Sequence, residues 1–199
     1  VVLNGSVEDN GTAIGAALAA SYELQNKRSP EKITDYYGKS YSNEEILNAI
    51  NKFKFKYEFI SEQKKYDIVA KLIYNNNVVG WFQGRSEFGP RALGNRSILA
   101  NPTHSKMKYI LDLYIKQRDR YRPYAPVVLE EYSKKYFDID GTSPVMMSGG
   151  KVLSKKFKAI THVDGSARIQ TLSKSDNIIF YNLIKSFQKI SGFPIILNT

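Results

Sequence analysis

The stretch Val78-Val79-Gly80-Trp81-Phe82-Gln83-Gly84-Arg85-Ser86-Glu87-Phe88-Gly89-Pro90-Arg91-Ala92-Leu93-Gly94-Asn95-Arg96-Ser97-Ile98-Leu99-Ala100 organises the rest of the chain. Its two apolar ends predict buried strands over 78–82 and 97–100, joined by a Gly-rich loop over 84–96. Gly84, Gly89 and Gly94 alternate with Arg85, Arg91 and Arg96. Glycine lets main-chain N–H groups turn toward a ligand, and arginine adds paired donors for phosphate or carboxylate oxygens. No Gly-Lys-Ser/Thr follows, and the glycine spacing is not that of a dinucleotide-binding turn. The alternative reading is a structural loop whose arginines pair with carboxylates, for which only Glu87 lies nearby.

Downstream, Lys116-Gln117-Arg118-Asp119-Arg120-Tyr121-Arg122-Pro123-Tyr124 carries four cations in seven residues, between a helical spacing over 106–115 and a strand-like run over 125–129. In an extended segment Arg118, Arg120 and Arg122 share one face. The competing readings are a solvated helix end and a nucleic-acid stripe with Tyr121 and Tyr124 as stacking platforms. Next, Thr161-His162-Val163-Asp164-Gly165-Ser166-Ala167-Arg168-Ile169-Gln170 reads as a turn between strands, with His162 and Asp164 either an acid–base pair or a hydrogen-bonded edge. With only two His and no Cys, neither a His-rich metal site nor a thiolate site is available.

Upstream, residues 1–7 read as a strand end. Asp9-Asn10-Gly11 opens an Ala-rich helix, apolar on nearly all sides and so expected to be buried on several. Residues 26–41, with Pro30 and Gly38, read as a linker or long loop. Ser42 before Glu44-Glu45 marks a helix start. Helical spacing recurs over 66–74 and 177–190, a short strand is expected over 57–60, and 130–137 reads as a helix. Several short strands are expected over 144–171 and a last one over 193–197. Strands and helices without a regular βαβ repeat predict an α+β (mixed α/β) fold.

The 199 residues suffice for a large core, and 13% aromatics argue against disorder. No apolar run reaches the ~18 residues of a membrane span. A chain opening on Val1-Val2-Leu3-Asn4 shows no signal peptide and reads as cut from a longer protein. The lack of Cys fits a reducing, cytoplasmic compartment. The 29 Lys and Arg against 19 Asp and Glu give a net charge of +10, which favours anionic partners. Six of the 8 Arg fall between 85 and 122 and a seventh is Arg168, whereas the Lys are scattered. Concentrated arginine points to a compact oxyanion site rather than a nucleic-acid face.

In order and spacing these segments, with the closing Gly192-Phe193-Pro194-Ile195-Ile196-Leu197-Asn198-Thr199, resemble the O-carbamoyltransferase family of nodulation and antibiotic biosynthesis (NodU/CmcH type). Asp119 stands where that family usually has Glu. The resemblance implies a tail of an actin-like ATPase-type transferase domain over 1–25, a linker over 26–44 and a YrdC-like domain over 45–199, a twisted mixed sheet with packed helices. It implies binding of carbamoyl phosphate and ATP, with Mg2+, to form carbamoyl-adenylate. The carbamoyl group then passes to a hydroxyl-bearing acceptor in the other domain. It implies Arg91, Arg122 and Arg168 for carbamoyl phosphate and the developing phosphate charge. Arg85, Arg96, Ser97, Lys116, Arg118, His162 and Asn198 assist in binding. Asp9 matches the family's iron-ligand aspartate, its partners lying outside this chain. Nucleic acid is then the weaker reading, and a domain that binds without turnover is a third.

Overall fold

The computed structural model describes residues 9–26 and 34–199, without the side chains of Asp9 and Asn10. The strand expected over 1–7 lies outside the described residues. The helix α1 (Asp9–Gln25) forms, but none of residues 11–26 is buried, and Leu18, Tyr22 and Leu24 are exposed. The expected burial of this helix is therefore corrected: its Ala-rich sequence has the propensity to form a helix without a buried face. Helix α2 (Asn43–Lys52) starts where the sequence places it. Glu45 N–H donates to Ser42 Oγ at 3.1 Å and Ser42 N–H to Glu45 Oε2 at 2.8 Å, a reciprocal cap. The strand expected over 57–60 is absent, because no neighbouring strand pairs with those residues.

The rest builds on a twisted seven-stranded mixed sheet. Its strands are β1 (Val79–Phe82), β2 (Arg96–Ala100), β3 (Ala125–Leu129), β4 (Phe137–Asp138), β5 (Ser148–Val152), β6 (Ser166–Leu172) and β7 (Ile195–Asn198), in the order β1-β2-β7-β3-β6-β5-β4. Only β3 and β6 run parallel; every other pair is antiparallel. Alternate residues of the central strands face opposite ways, as the period of two requires. Val127, Leu129, Leu172 and Ile196 pack against α3 (Glu62–Tyr74) and α6 (Ile178–Ser191). Val128, Ile169, Ile195 and Leu197 face Met107, Leu111, Phe137 and Phe157 on the other side.

Helix α3 buries Tyr66, Ala70 and Ile73, one stripe at helical spacing, against Phe180, Leu183, Ile184 and Phe187 of α6. Each fully buried side chain of that size contributes about 1.5–3 kcal/mol. Asn177 caps α6, accepting from Phe180 N–H at 3.1 Å, and Gly192 ends it at φ 82°. The helix expected over 106–115 begins as α4 (Met107–Ile110) but widens into a π-helical turn, Leu111–Lys116. The segment 130–137 is one 3-10 turn followed by α5 (Ser133–Tyr136).

The register of the centre positions the site. Ala125 opens β3 opposite Asn198, which closes β7, and Val127 stands opposite Gln170. Arg168, Gln170 and Asn198 thereby gather at one end of the sheet, on the face that α3 and α6 cover further along.

Candidate functional site

The Gly-rich loop joins β1 to β2 and closes over that end of the sheet. Glu87 holds it: one carboxylate oxygen, Oε1, accepts from the N–H groups of Leu93, Asn95 and Arg96 at 2.7, 2.9 and 3.3 Å. Asn95 donates to the Arg85 carbonyl at 2.7 Å, and Asn177, the cap of α6, donates to Asn95 Oδ1 at 2.9 Å. Gly94 sits at φ 109°, and a Cβ there would lie 2.2 Å from the Phe180 ring. Only glycine therefore lets the loop lie against α6.

Arg96 is held within the protein through both of its terminal nitrogens. Its Nη1 donates to the carbonyls of Gln83 and Asn95 at 2.6 and 2.9 Å, and its Nη2 to those of Lys39 and Gly84, both at 3.1 Å. Its guanidinium lies 3.7 Å from the centre of the Phe82 ring. It ties segment 34–42 to the loop. Arg85 does the same from its Nε to the Gly38 carbonyl at 3.0 Å. Ser97 is buried and accepts from Gly94 N–H at 3.0 Å.

The second cation segment is shaped by the π turn. Gln117 takes a left-handed φ of 46°, and its N–H and that of Arg118 both donate to the Asp112 carbonyl. The buried Asp112 carboxylate accepts from Arg118 Nε at 3.3 Å and from the Tyr124 hydroxyl at 2.8 Å, through Oδ1. Burial, and then this bond, push the Tyr124 hydroxyl far above the ordinary phenol range. The alternation expected over 118–122 is broken by a turn, in which Arg122 N–H faces the Asp119 carbonyl at 3.5 Å. Arg118 and Arg122 reach the site, while Arg120 lies 4.8 Å from the centre of the Tyr109 ring.

These segments enclose a cavity of about 500 Å³. Arg91, Arg96, Lys116, Arg118, Arg122, Arg168 and Asn198 line it, with Glu87 and Met146 among its walls. Seven of the sequence-derived site residues thus converge on one concavity, although Arg96 already has carbonyl partners. Arg85, Ser97 and His162, expected to assist in binding, do not line it. His162 stands at the β5–β6 turn, its Nδ1 3.3 Å from Asp164 Oδ1 and its Nε2 3.3 Å from the Tyr121 carbonyl. Hydrogen bonds from the Ser166 hydroxyl and N–H hold the Asp164 carboxyl down at about 2. The side chain of Asp9 lies outside the described residues.

Like charges gathered around one cavity repel one another, and a polyanion relieves that repulsion. Lys116 shows it: burial, and then Arg118, lower its pKa. Among the described residues no group of three or more His, Asp or Glu side chains comes together. The described residues therefore form no protein-built cage for iron or Mg2+, and no step below runs through either. Sequence reading missed Asp112 and Gln170, and gave Tyr124 a stacking role where the structure shows a hydrogen bond to Asp112. Asp112 interrupts the apolar run Ile110-Leu111-Asp112-Leu113, the one local sign of a buried carboxylate.

A family model described as the carbamoyltransferase C-terminus matches residues 70–199. The nodulation protein NolO of Bradyrhizobium diazoefficiens is 39% identical, over 100% of this chain and 38% of its own length. The 3'-hydroxymethylcephem-O-carbamoyltransferase of Amycolatopsis lactamdurans is 32% identical, over 96% of this chain and 35% of its own length. Nodulation protein U of Rhizobium tropici is 37% identical over 66% of the chain and 23% of its own length. The chain thus spans a minor part of each of these relatives. No helix among the described residues is long and apolar enough to cross a membrane.

Proposed function

The chain belongs to the carbamoyltransferase C-terminal family, and from that premise we propose that its cavity binds carbamoyl phosphate and ATP and joins them into carbamoyl-adenylate. The observation that carries this reading is the convergence of Arg91, Lys116, Arg118, Arg122 and Arg168 on one concavity. Two polyanions meet only where fixed cations offset their repulsion. Cations converging on a cavity also suit small phosphates better than a strand of nucleic acid.

In this reading Arg91, Arg122 and Arg168 hold the phosphate of carbamoyl phosphate and the charge that develops as it leaves. Lys116 and Arg118 neutralise the nucleotide phosphates, and Mg2+ arrives with ATP. The carbamoyl carbon becomes bonded to the α-phosphate of AMP through oxygen. Balance then requires one water and the release of inorganic phosphate and pyrophosphate. The carbamoyl group passes to the hydroxyl of a small-molecule acceptor, and that transfer belongs to the whole protein, of which this chain is the activating part. In the same reading residues 1–25 are the tail of the transferase domain, with Asp9 the one ligand this chain would supply to an iron held by that domain, and the reaction takes place in the cytoplasm.

Calorimetric titration with carbamoyl phosphate, with inorganic phosphate as control, tests this. Saturable binding stronger than that of phosphate, reduced at least about tenfold in Arg91→Ala, supports it. Binding no stronger than that of phosphate overturns it.

A further inference from the structure

The cavity wall carries a polarity that its cations do not explain. Asn198 lines the cavity and is 1% exposed. Its Nδ2 donates to the Ala92 carbonyl and to Gln170 Oε1, both at 2.9 Å. Gln170 is equally buried, and its Nε2 donates to the Leu93 carbonyl at 3.1 Å. A main-chain carbonyl only accepts, so Gln170 turns its nitrogen toward Leu93 and its oxygen toward Asn198. Ala92 imposes the same sense on Asn198 directly. Two carbonyls of the Gly-rich loop thus fix both amides, with no choice of flip left. Asn198 Oδ1 is then a buried acceptor that receives no hydrogen bond from the protein. Arg118 lines the cavity as well, and its Nη2 is a buried donor that finds no hydrogen-bond acceptor in the protein.

A ligand that completes both atoms carries an oxygen for Arg118 and an N–H or O–H for Asn198. Carbamoyl and acetyl groups have the same shape and size, but the first ends in NH2 and the second in CH3. Arginine and lysine only donate, so they do not tell these two apart. We propose that Asn198 is the specificity-determining residue: its Oδ1 accepts from the amino group of carbamoyl phosphate, and Gln170 is the positioning residue that holds it in that sense. This rests on the reading of the cavity as an acyl phosphate site. A methyl group in the same place leaves Oδ1 buried without a donor, and a site built around a polar partner rejects the analogue that lacks it.

The test compares two hydrolysis-resistant probes, phosphonoacetamide and its methyl counterpart acetonylphosphonate, by calorimetry on this chain, with inorganic phosphate alongside. The expected result is a preference for the amide of at least about tenfold in the unmodified chain. The ratio falls close to one in Asn198→Leu and part of the way in Gln170→Met. A thermal melt of each variant confirms folding, and Asn198→Ala replaces Asn198→Leu if the latter shows no transition. A purely structural role of either residue shifts both probes together and leaves the ratio unchanged, which overturns the proposal. A ratio near one in the unmodified chain, with both probes binding more tightly than phosphate, also overturns it while the acyl phosphate reading stands. If neither probe outbinds phosphate, the acyl phosphate reading itself fails, and this proposal with it.

Discussion

The hydroxyl of Tyr124 donates to the carboxylate of Asp112 at 2.8 Å, on the same oxygen that takes Arg118 Nε. A buried carboxylate is tolerated only when paired and hydrogen-bonded. This one is anchored by Tyr124, the residue before β3, and holds a cation of the cavity wall. Tyr124→Phe is expected to cost about 2 kcal/mol of stability, the value of a hydrogen bond to a charged group. Asp112→Ala leaves Arg118 with no counter-charge and is expected to cost about 3–5 kcal/mol. Urea unfolding checks both, and pyrophosphate affinity is expected to fall in both.

Gly94 and Phe180 make the loop and α6 mutually exclusive of any extra atom. Gly94→Ala places a methyl group inside the ring's contact distance at a positive φ, and about 2–4 kcal/mol of destabilisation is expected. Adding Phe180→Leu is expected to recover part of it, because the clash is relieved while the backbone strain remains. Thermal melts of the single and double variants separate the two contributions.

Glu87 sets net charge against geometry. Removing a carboxylate from a cationic cavity favours anions by Coulomb's law alone. Yet Oε1 holds three main-chain N–H groups of the loop that carries Arg91. Glu87→Ala is expected to weaken pyrophosphate binding about tenfold, because the cations lose their fixed places. Tighter binding in calorimetry is the outcome against this view.

Lys116 has its pKa lowered by burial and by Arg118, so it loses its charge at lower pH than an ordinary lysine. Anion affinity is expected to begin falling, as pH rises, below the usual lysine range. Lys116→Met lacks that limb and binds more weakly. Its melting temperature is expected to be higher, since a lysine with a lowered pKa destabilises the fold wherever it remains charged. Titrations from neutral to alkaline pH and melts at neutral pH check the two halves.

The Tyr36 hydroxyl donates to the Leu93 carbonyl at 3.0 Å, and burial pushes its pKa up to about 12. The unfolded chain ionises this phenol near its ordinary value of 10.0. The folded state therefore binds the extra proton between the two values. The associated stability is complete below the lower value and is lost as pH rises through the upper one. Tyr36→Phe is expected to flatten the fall of stability with pH in that window, as read by urea unfolding.

Local signals showed the frame well. Helix α6 follows from its spacing, its Asn177 cap and Gly192, and α2 from Ser42 with Glu45. The strands at 79–82, 96–100 and 125–129 follow from apolar runs between turn residues. The convergence of Arg91, Arg122, Arg168 and Asn198 was also legible, through family resemblance rather than spacing. The roles of Arg96 and Ser97 were not, because an arginine that binds phosphate and one that binds carbonyls look alike. Arg96's partner at Lys39 is 57 residues away. The expected face of Arg118, Arg120 and Arg122 failed because the segment turns over 119–122 instead of running extended. The burial expected of α1 failed because an all-apolar pattern says only that a helix has the composition to be covered.

The clamp between Asn198 and Ala92 joins positions 106 apart, and that between Gln170 and Leu93 positions 77 apart. Contacts that span so much chain form late, since a large loop closes before they yield anything. During synthesis the arginine loop therefore emerges from the ribosome long before the strands that fasten it. Until β6 and β7 follow, the cationic, glycine-rich segment has only Glu87 and the earlier segment 34–42 to hold it, and is more open to anions and proteases. Codon-level slowing just before residue 166 would lengthen that exposure, and a free phosphate ligand would have no finished cavity to shorten it.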